Sequence, residues 1–460
     1  MNNNKNISMF KWGINFIIPI LCFLIPTTET FTPQIRSFFV ITLFCIILIA
    51  TENLPVFTIS LMLPFMYLVF LKQDPSLVFK AWSLEVPWLI LGGFILTIAL
   101  KKSGLLKRLS YMIILLFGGT VRGILYGLLV IGIMTTLVVA DATAKAVLMG
   151  TLVLGICDAL EIKKGSRNAT VLGLATFAAA MGPSFIFMVS TGFMTVSGIL
   201  TAANYSVPTY LEYLLHMGAP QLLFCICTVV MIDILYKPEK LLRSKEFFKE
   251  ELQKLGAFSS NEKKVLAISI GLVILLVSGS IHGILSGWVF MLVAIITMLP
   301  GINLVTPEDV KQVNFTFMMF VVGCLTIGVV SGPLGVGKFI ADTVYPYITG
   351  SVNQLFAGVW SLGFLSNFIL TPLAAYSTFT LPIAEMATQA GTNYLAVIYT
   401  FVSSLEQVIF PYEYAPVLLI YGYGLVSFKD FFKYHVIKVI LNIAFISLIF
   451  IPFWNFIGLL

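Results

Sequence analysis

The sequence predicts an all-α polytopic membrane protein built from two inverted repeats, and three observations predict it. Of its 460 residues 59% are hydrophobic and only 10% charged, against about 25% charged in ordinary soluble domains. The apolar residues fall in runs of roughly 18 to 25, the length a helix needs to cross a bilayer. The runs are continuous rather than alternating, which favours helices over a barrel. Finally, a weak internal match recurs along the chain. Gly92 and Gly104 of "GGFILTIALKKSG" fall on Gly323 and Gly335 of "GCLTIGVVSGPLG", 231 positions on.

Taken in order, "MNNNKNISMFKWG" precedes the first apolar run and shows no small-residue cleavage site, so that run reads as a retained helix. Lys and Arg mark the cytoplasmic side. The stretch 235–264 holds eight of them and divides the apolar runs into halves, so it is placed inside the cell. The helix at 86–100 then ends inside at Lys101 and Lys102. Its continuation, "SGLLKRLSYMII", is amphipathic and suits the inner interface. Arg122, Lys163, Lys164 and Arg167 are also inside, so both ends of 123–162 lie on one side. Either the segment makes two full spans or it is a hairpin that turns back within the membrane; charge parity fits both.

The repeat favours the hairpin. The same offset puts Asp141 on Pro372 and Gly182 of "AAAMGPSF" on Glu413 of "FPYEYAPV". Each half thus has two interrupted apolar segments at matching places. The helix at 86–100 ends inside whereas its counterpart at 315–332, near Glu308, Asp309 and Lys311, begins there. Broken segments at equivalent places in inverted halves point to a transporter site near the bilayer midplane.

At these residues the sequence resembles the divalent anion:sodium symporter family, whose carriers move di- and tricarboxylates or sulfate. "WLILGGFILTIALKKSGLLKRL" is similar to its signature helix, and "LLIYGYGLVSFKDFFKYHVIKVILNIAFISLIFIPFW" to its last two helices. The resemblance implies about 11 transmembrane helices plus two re-entrant hairpins, usually in a homodimer. It implies scaffold helices at 1–80 and 265–311 and a cytoplasmic loop at 237–264. The first repeat, 81–236, then carries an inner hairpin at 123–162, and the second, 312–460, an outer one at 353–390. Broken helices fall at 168–200 and 394–425. The N-terminus is expected in the cytoplasm of a cell-membrane protein and the C-terminus outside. In the family each hairpin tip carries Ser-Asn-Thr, which binds sodium and substrate carboxylates. Here the first tip reads "ADAT" and the second "TPLAA". A Ser366-Asn367 pair lies about six residues too early relative to "LPIA".

These departures direct attention to the charges. Asp141 and Lys145 are spaced i, i+4 and on a helix would share a face. Each alone near the bilayer centre costs about 2.5–3.5 kcal/mol, and a buried pair is poor evidence for stability. Lys145 is read as a built-in cation for an anionic substrate, or Asp141 as a proton carrier, or the two as a structural pair, or their turn as an outer loop that meets water. Expected substrate-binding residues are Asp141, Thr143, Lys145, Ser184, Thr371, Pro372, Ala374, Tyr412 and Tyr414. Asp141, Gly182 and Glu413 are expected to hold a coupling ion or proton, Na+ or H+, with Glu413 also a partner for Lys145. His435 and Lys438, after the last inner loop, read as snorkelling side chains.

The function expected is secondary active transport of a small anion, carboxylate or sulfate, not conventionally sodium-coupled. The alternatives are a sodium-coupled di- or tricarboxylate symporter and a membrane-embedded enzyme on a lipid-linked substrate. The enzyme would need an acid–base or metal cluster, and three His with no HExxH supply none. The six cysteines lie in or beside apolar runs without CxxC spacing, so no metal or redox cofactor is expected. No basic, aromatic-laced face suggests nucleic acid. The lipid bilayer and the anion are the expected partners.

Overall fold

The computed structural model describes residues 2–460 apart from positions 52, 119, 138, 140, 240–243, 337, 338, 340–342, 344–350 and 369. Among the described residues it is helical throughout, with no strand. The first half comprises α1 (Asn2–Leu24), α2 (Pro33–Thr51), α3 (Val56–Val69), α4 (Glu85–Ser103), α5 (Leu105–Leu116), α6 (Val121–Thr136), α7 (Ala142–Ala159), α8 (Arg167–Met181), α9 (Thr191–Ala202) and α10 (Ala219–Tyr236). After α11 (Ser244–Lys254) the second half follows as α12 (Ser260–Val277), α13 (Ser286–Met298), α14 (Phe315–Leu334), α15 (Val352–Ser366), α16 (Pro372–Gln389), α17 (Tyr394–Leu405), α18 (Ala415–Gly422), α19 (Phe428–Phe445) and α20 (Ile451–Phe456).

Length and composition suit a bilayer span in four segments, Pro75–Ser103, Tyr210–Tyr236, Phe315–Leu334 and Phe428–Phe456. Other apolar helices are shorter, among them Val121–Thr136, Thr191–Ala202 and Tyr394–Leu405, because the chain turns or breaks inside the protein. Large apolar side chains such as Leu21, Ile270, Ile274 and Leu448 stand exposed on the outer faces. A surface of that kind suits lipid and would be a liability in water.

The 231-residue offset carries whole elements onto one another. It takes α3 onto α13, α4 onto α14, α6 onto α15 and α7 onto α16, and it brings α8 close to α17. The matched glycines have matched tasks. Gly104 and Gly335 close α4 and α14 in the left-handed region, at φ 76° and 70°, where a side chain would be strained. At Gly92 a Cβ would stand 2.7 Å from the Phe290 backbone of α13, and at Gly323 one would stand 3.2 Å from the Ser60 backbone of α3.

Polar ties gather at one face. Lys102, near the end of α4, is paired with Asp309, just before α14, at 2.5 Å, so these repeat-related helices run in opposite directions. Arg122, at the start of α6, pairs with Asp233 of α10 at 2.8 Å. Asn168, at the start of α8, accepts from the Glu239 N–H at 2.8 Å. Both ends of the α6–α7 segment therefore stand at the face that bears the basic loop. The segment is a helical hairpin whose turn, at Asp141, lines a cavity. The amphipathic α5 lies between that hairpin and α11, where Arg108 pairs with Glu262 at 2.7 Å and donates to three carbonyls, of Leu255, Gly256 and Ala257.

Candidate substrate site

Both hairpins are built alike. In the first, α6 and α7 pack on α8; in the second, α15 and α16 pack on α17. Small residues at matched places permit the approach: a Cβ on Gly132 would lie 2.2 Å from the Ala179 carbonyl oxygen, and one on Gly363 2.0 Å from the Ser404 hydroxyl. Each second helix starts at an oxygen-bearing cap. The Asp141 carboxylate accepts from the Ala144 N–H at 2.5 Å, and the Thr371 hydroxyl from the Ala374 N–H at 3.4 Å.

The helices α8 and α17 break where prolines enter. After α8 the chain makes a short 3-10 turn, Gly182–Phe185, before α9; after α17 it makes another, Pro411–Glu413, before α18. The two tips and both breaks face a cavity of about 280 Å³. Asp141, Ala142 and Thr143 line it from the first tip, Thr371, Pro372 and Leu373 from the second. Thr191 comes from beyond the first break, and Tyr414, Ala415 and Pro416 from the second. Ile49 of α2 and Asn314, Thr316, Phe317 and Phe320 of α14 complete the wall. Five helices, α7, α9, α14, α16 and α18, begin at this wall. Asp141, Ser190, Asn314 and Thr371 each cap one N–H at four of these starts, and the dipoles and remaining N–H groups of helix starts are favourable for negative charge.

Asp141 and Lys145 are not the pair that their spacing predicts. Asp141 is the N-cap, outside the helix, half-buried at the cavity wall. Lys145 is buried at 1% exposure, and its ammonium donates to Ser184 Oγ at 2.6 Å and Thr136 Oγ1 at 3.4 Å. The carboxylate whose field acts on it most is Glu406, ahead of Asp141; Glu406 closes α17 and is also acted on by Lys438. Lys438 is buried too, and its ammonium donates to the Glu406 carbonyl oxygen at 3.1 Å. A cation at a helix C-terminus is favourable. Two lysines and one glutamate thus lie beneath the cavity.

Several expectations are corrected here. Glu413 is buried, but its carboxylate accepts from the backbone N–H groups of Ile409 and Phe410, the latter at 2.8 Å. It is a cap for the break and lines no part of the cavity; Glu406 takes the place expected of it beside Lys145. The Gly182 carbonyl is occupied by the Gln221 amide at 2.9 Å. Ala374 is buried away from the cavity. The Tyr412 side chain lies outside the described residues. Lys438 points inward and does not snorkel, and His435 is buried against Phe177 and Phe431. The Ser366-Asn367 pair sits at the second tip, where Asn367 follows the last turn of α15 and donates to the Leu405 carbonyl at 3.0 Å.

Sequence reasoning missed the aromatic wall, Phe317 and Phe320, since nothing distinguishes these phenylalanines from lipid-facing ones until α14 is placed. Glu406 and Lys438 had a signal, each being a charge within an apolar run, where a functional role is the default reading.

A helical membrane body in which two hairpins and two broken helices meet at one cavity defines a class, the secondary transporters. Comparison with known proteins agrees. The sodium:sulfate symporter transmembrane region matches residues 7–460, and the chain belongs to that family. The solved structure of the Alcanivorax borkumensis YdaH transporter is similar in fold, with a TM-score of 0.56 and 12% identity over 84% of this chain and 88% of that one. No curated protein shows significant sequence similarity to the chain.

Proposed function

We propose that the protein is a secondary active carrier that moves a small anion across the cell membrane together with a proton, and that the 280 Å³ cavity holds the anion. One observation carries this reading: both hairpin tips and the starts of five helices converge on one cavity. Asp141 is the ionisable carboxyl on the wall. Ionised, it repels an anion; protonated, it can donate a hydrogen bond to one. Anion and proton therefore arrive together. Lys145 acts from below as a fixed cation, held by Ser184 and Thr136, and supplies positive charge without a bound sodium. The carrier leaves its substrate chemically unchanged. The positive charge of the basic loop supports an N-terminus in the cytoplasm and a C-terminus outside, and assembly as a homodimer is part of the same reading.

The second reading is sodium coupling at the second tip. Asn367 Oδ1 and Gln407 Oε1 are buried without a hydrogen-bond partner among the described residues, beside the carbonyl end of α17, and unwound backbone with free oxygen donors is how broken helices hold Na+.

Counterflow in liposomes containing the full-length protein separates these. Exchange of a labelled anion should persist without sodium and rise when the substrate side is acidified. Strict sodium dependence would establish the second reading instead. A chemically altered substrate, or no exchange of any anion, would overturn both.

A further inference from the structure

We infer that the carried anion is a monocarboxylate with an apolar body, and that the cavity disfavours sulfate and dicarboxylates. The inference rests on the anion-carrier reading above and narrows its substrate class. Its ground is the chemistry of the wall. Phe317 and Phe320 stand one turn apart on α14, and Ile49, Leu373, Pro416 and Tyr414 face the same space. Among the described lining residues there is no Lys, Arg or His, and Asp141 is the single carboxyl.

The polar groups are few and uncharged apart from Asp141: the hydroxyls of Thr143, Thr191, Thr316, Thr371 and Tyr414, and the Asn314 amide. Such a lining can satisfy one carboxylate at the tips, between the starts of α7 and α16. A second negative charge would meet no cation among the described lining residues and mostly phenyl and aliphatic carbon beyond the tips, and a charge taken from water without a charged partner is strongly disfavoured. Lys145 does not reach the cavity, because its ammonium is turned to Ser184. The aromatic wall is instead suited to hydrocarbon. The volume of about 280 Å³ corresponds to roughly nine water-sized units, which is one carboxylate and about six carbons.

Protonated Asp141 would share its proton with the substrate carboxylate, so the pair enters carrying one net negative charge between two carboxyl groups. The charged and titratable groups facing Asp141 are Lys145 on its own helix, Lys101 of α4 and Tyr414 at the second break.

The test is counterflow and competition in liposomes bearing the full-length protein, at pH 5.5 and 7.5, with butyrate, hexanoate, 3-phenylpropionate, succinate, citrate and sulfate. Affinity should rise about fourfold for each added methylene from butyrate to hexanoate, with succinate, citrate and sulfate at least tenfold weaker than hexanoate. Phe320→Ser should flatten the chain-length slope; Leu373→Ser provides the same readout should the first variant not fold. Exchange of succinate, citrate or sulfate with equal or higher affinity overturns the inference and leaves the anion carrier standing. A flat chain-length series in the native protein also overturns it. No exchange of any of the six at either pH overturns the inference and the carrier reading together.

Discussion

Lys145 sits where a membrane protein can least tolerate a stray charge, and its partners explain how it is held. The ammonium spends its hydrogen bonds on Ser184 and Thr136, and its charge is set against Glu406. A hydrogen bond to a charged group contributes about 1.5–3 kcal/mol. Ser184→Ala should therefore cost about that much in thermal unfolding of the purified protein. Lys145→Met should lose far more, because Glu406 then faces Lys438 alone, and substrate binding should go with it. Glu413 gives the opposite expectation. Its carboxylate serves two backbone N–H groups at the break. Glu413→Gln should lower stability by about 1–2 kcal/mol yet leave the pH profile of uptake where it was. A profile that moved would return Glu413 to the coupling machinery.

At the scale of elements the hairpins are positioned by what is absent from them. Gly132 lets α6 meet the backbone of α8, and Gly363 lets α15 meet α17. The obstacles differ in kind. A methyl on Gly132 would strike a main-chain carbonyl at 2.2 Å, whereas on Gly363 the nearest atom is the Ser404 hydroxyl, which can turn aside. Overpacking costs typically about 1–3 kcal/mol. Gly132→Ala should fall at the top of that range or beyond, and Gly363→Ala clearly below it, in parallel thermal melts. The α5–α11 region is held differently, by the buried Arg108–Glu262 pair and three carbonyls. Removing one member of a buried pair costs about 3–5 kcal/mol, so Arg108→Ala should release α11 and expose it to proteolysis.

For the whole molecule, alternating access in carriers built on repeats rocks one bundle against another around the site, and we propose that here the hairpin-bearing helices move against α2. Ile49 of α2 and Leu373 of the second tip line the same cavity from opposite bodies. Cysteines at these two positions, on a background without the native six, should be bridged by mercury. Bridging should stop transport until thiol is added, and unchanged uptake would show that the two walls do not slide. A second tie spans the repeats at the basic face. The Lys102 ammonium and then Thr306 hold the Asp309 carboxyl down to about 2. Because the folded value lies below the unfolded one of about 3.9, the tie stabilises fully above pH 4 or so and is lost as pH falls through about 2. Lys102→Met should reduce that acid dependence of the thermal stability, leaving the part that Thr306 supplies.

The sequence by itself determined the class. Apolar runs of bilayer length dictate a helical membrane protein, since lipid offers backbone groups no other partners. The glycines 231 residues apart exposed the repeat because each performs one backbone task, a left-handed stop or a close approach, that no other residue does as well. Asp141, Thr143, Thr371, Pro372 and Tyr414 were legible as a set for the same reason, being breaks in otherwise continuous apolar helices. Which residues meet was another matter. Asp141 and Lys145 share a helical spacing, but the chain turns at Asp141, and only that turn shows that the carboxylate faces the cavity while the ammonium faces Ser184. Glu406, Lys438, Phe317 and Phe320 come from segments far apart in the chain, and spacing carries no information about such neighbours. Tertiary structure decided them, because the direction of a side chain in an all-apolar helix is set by what packs against it.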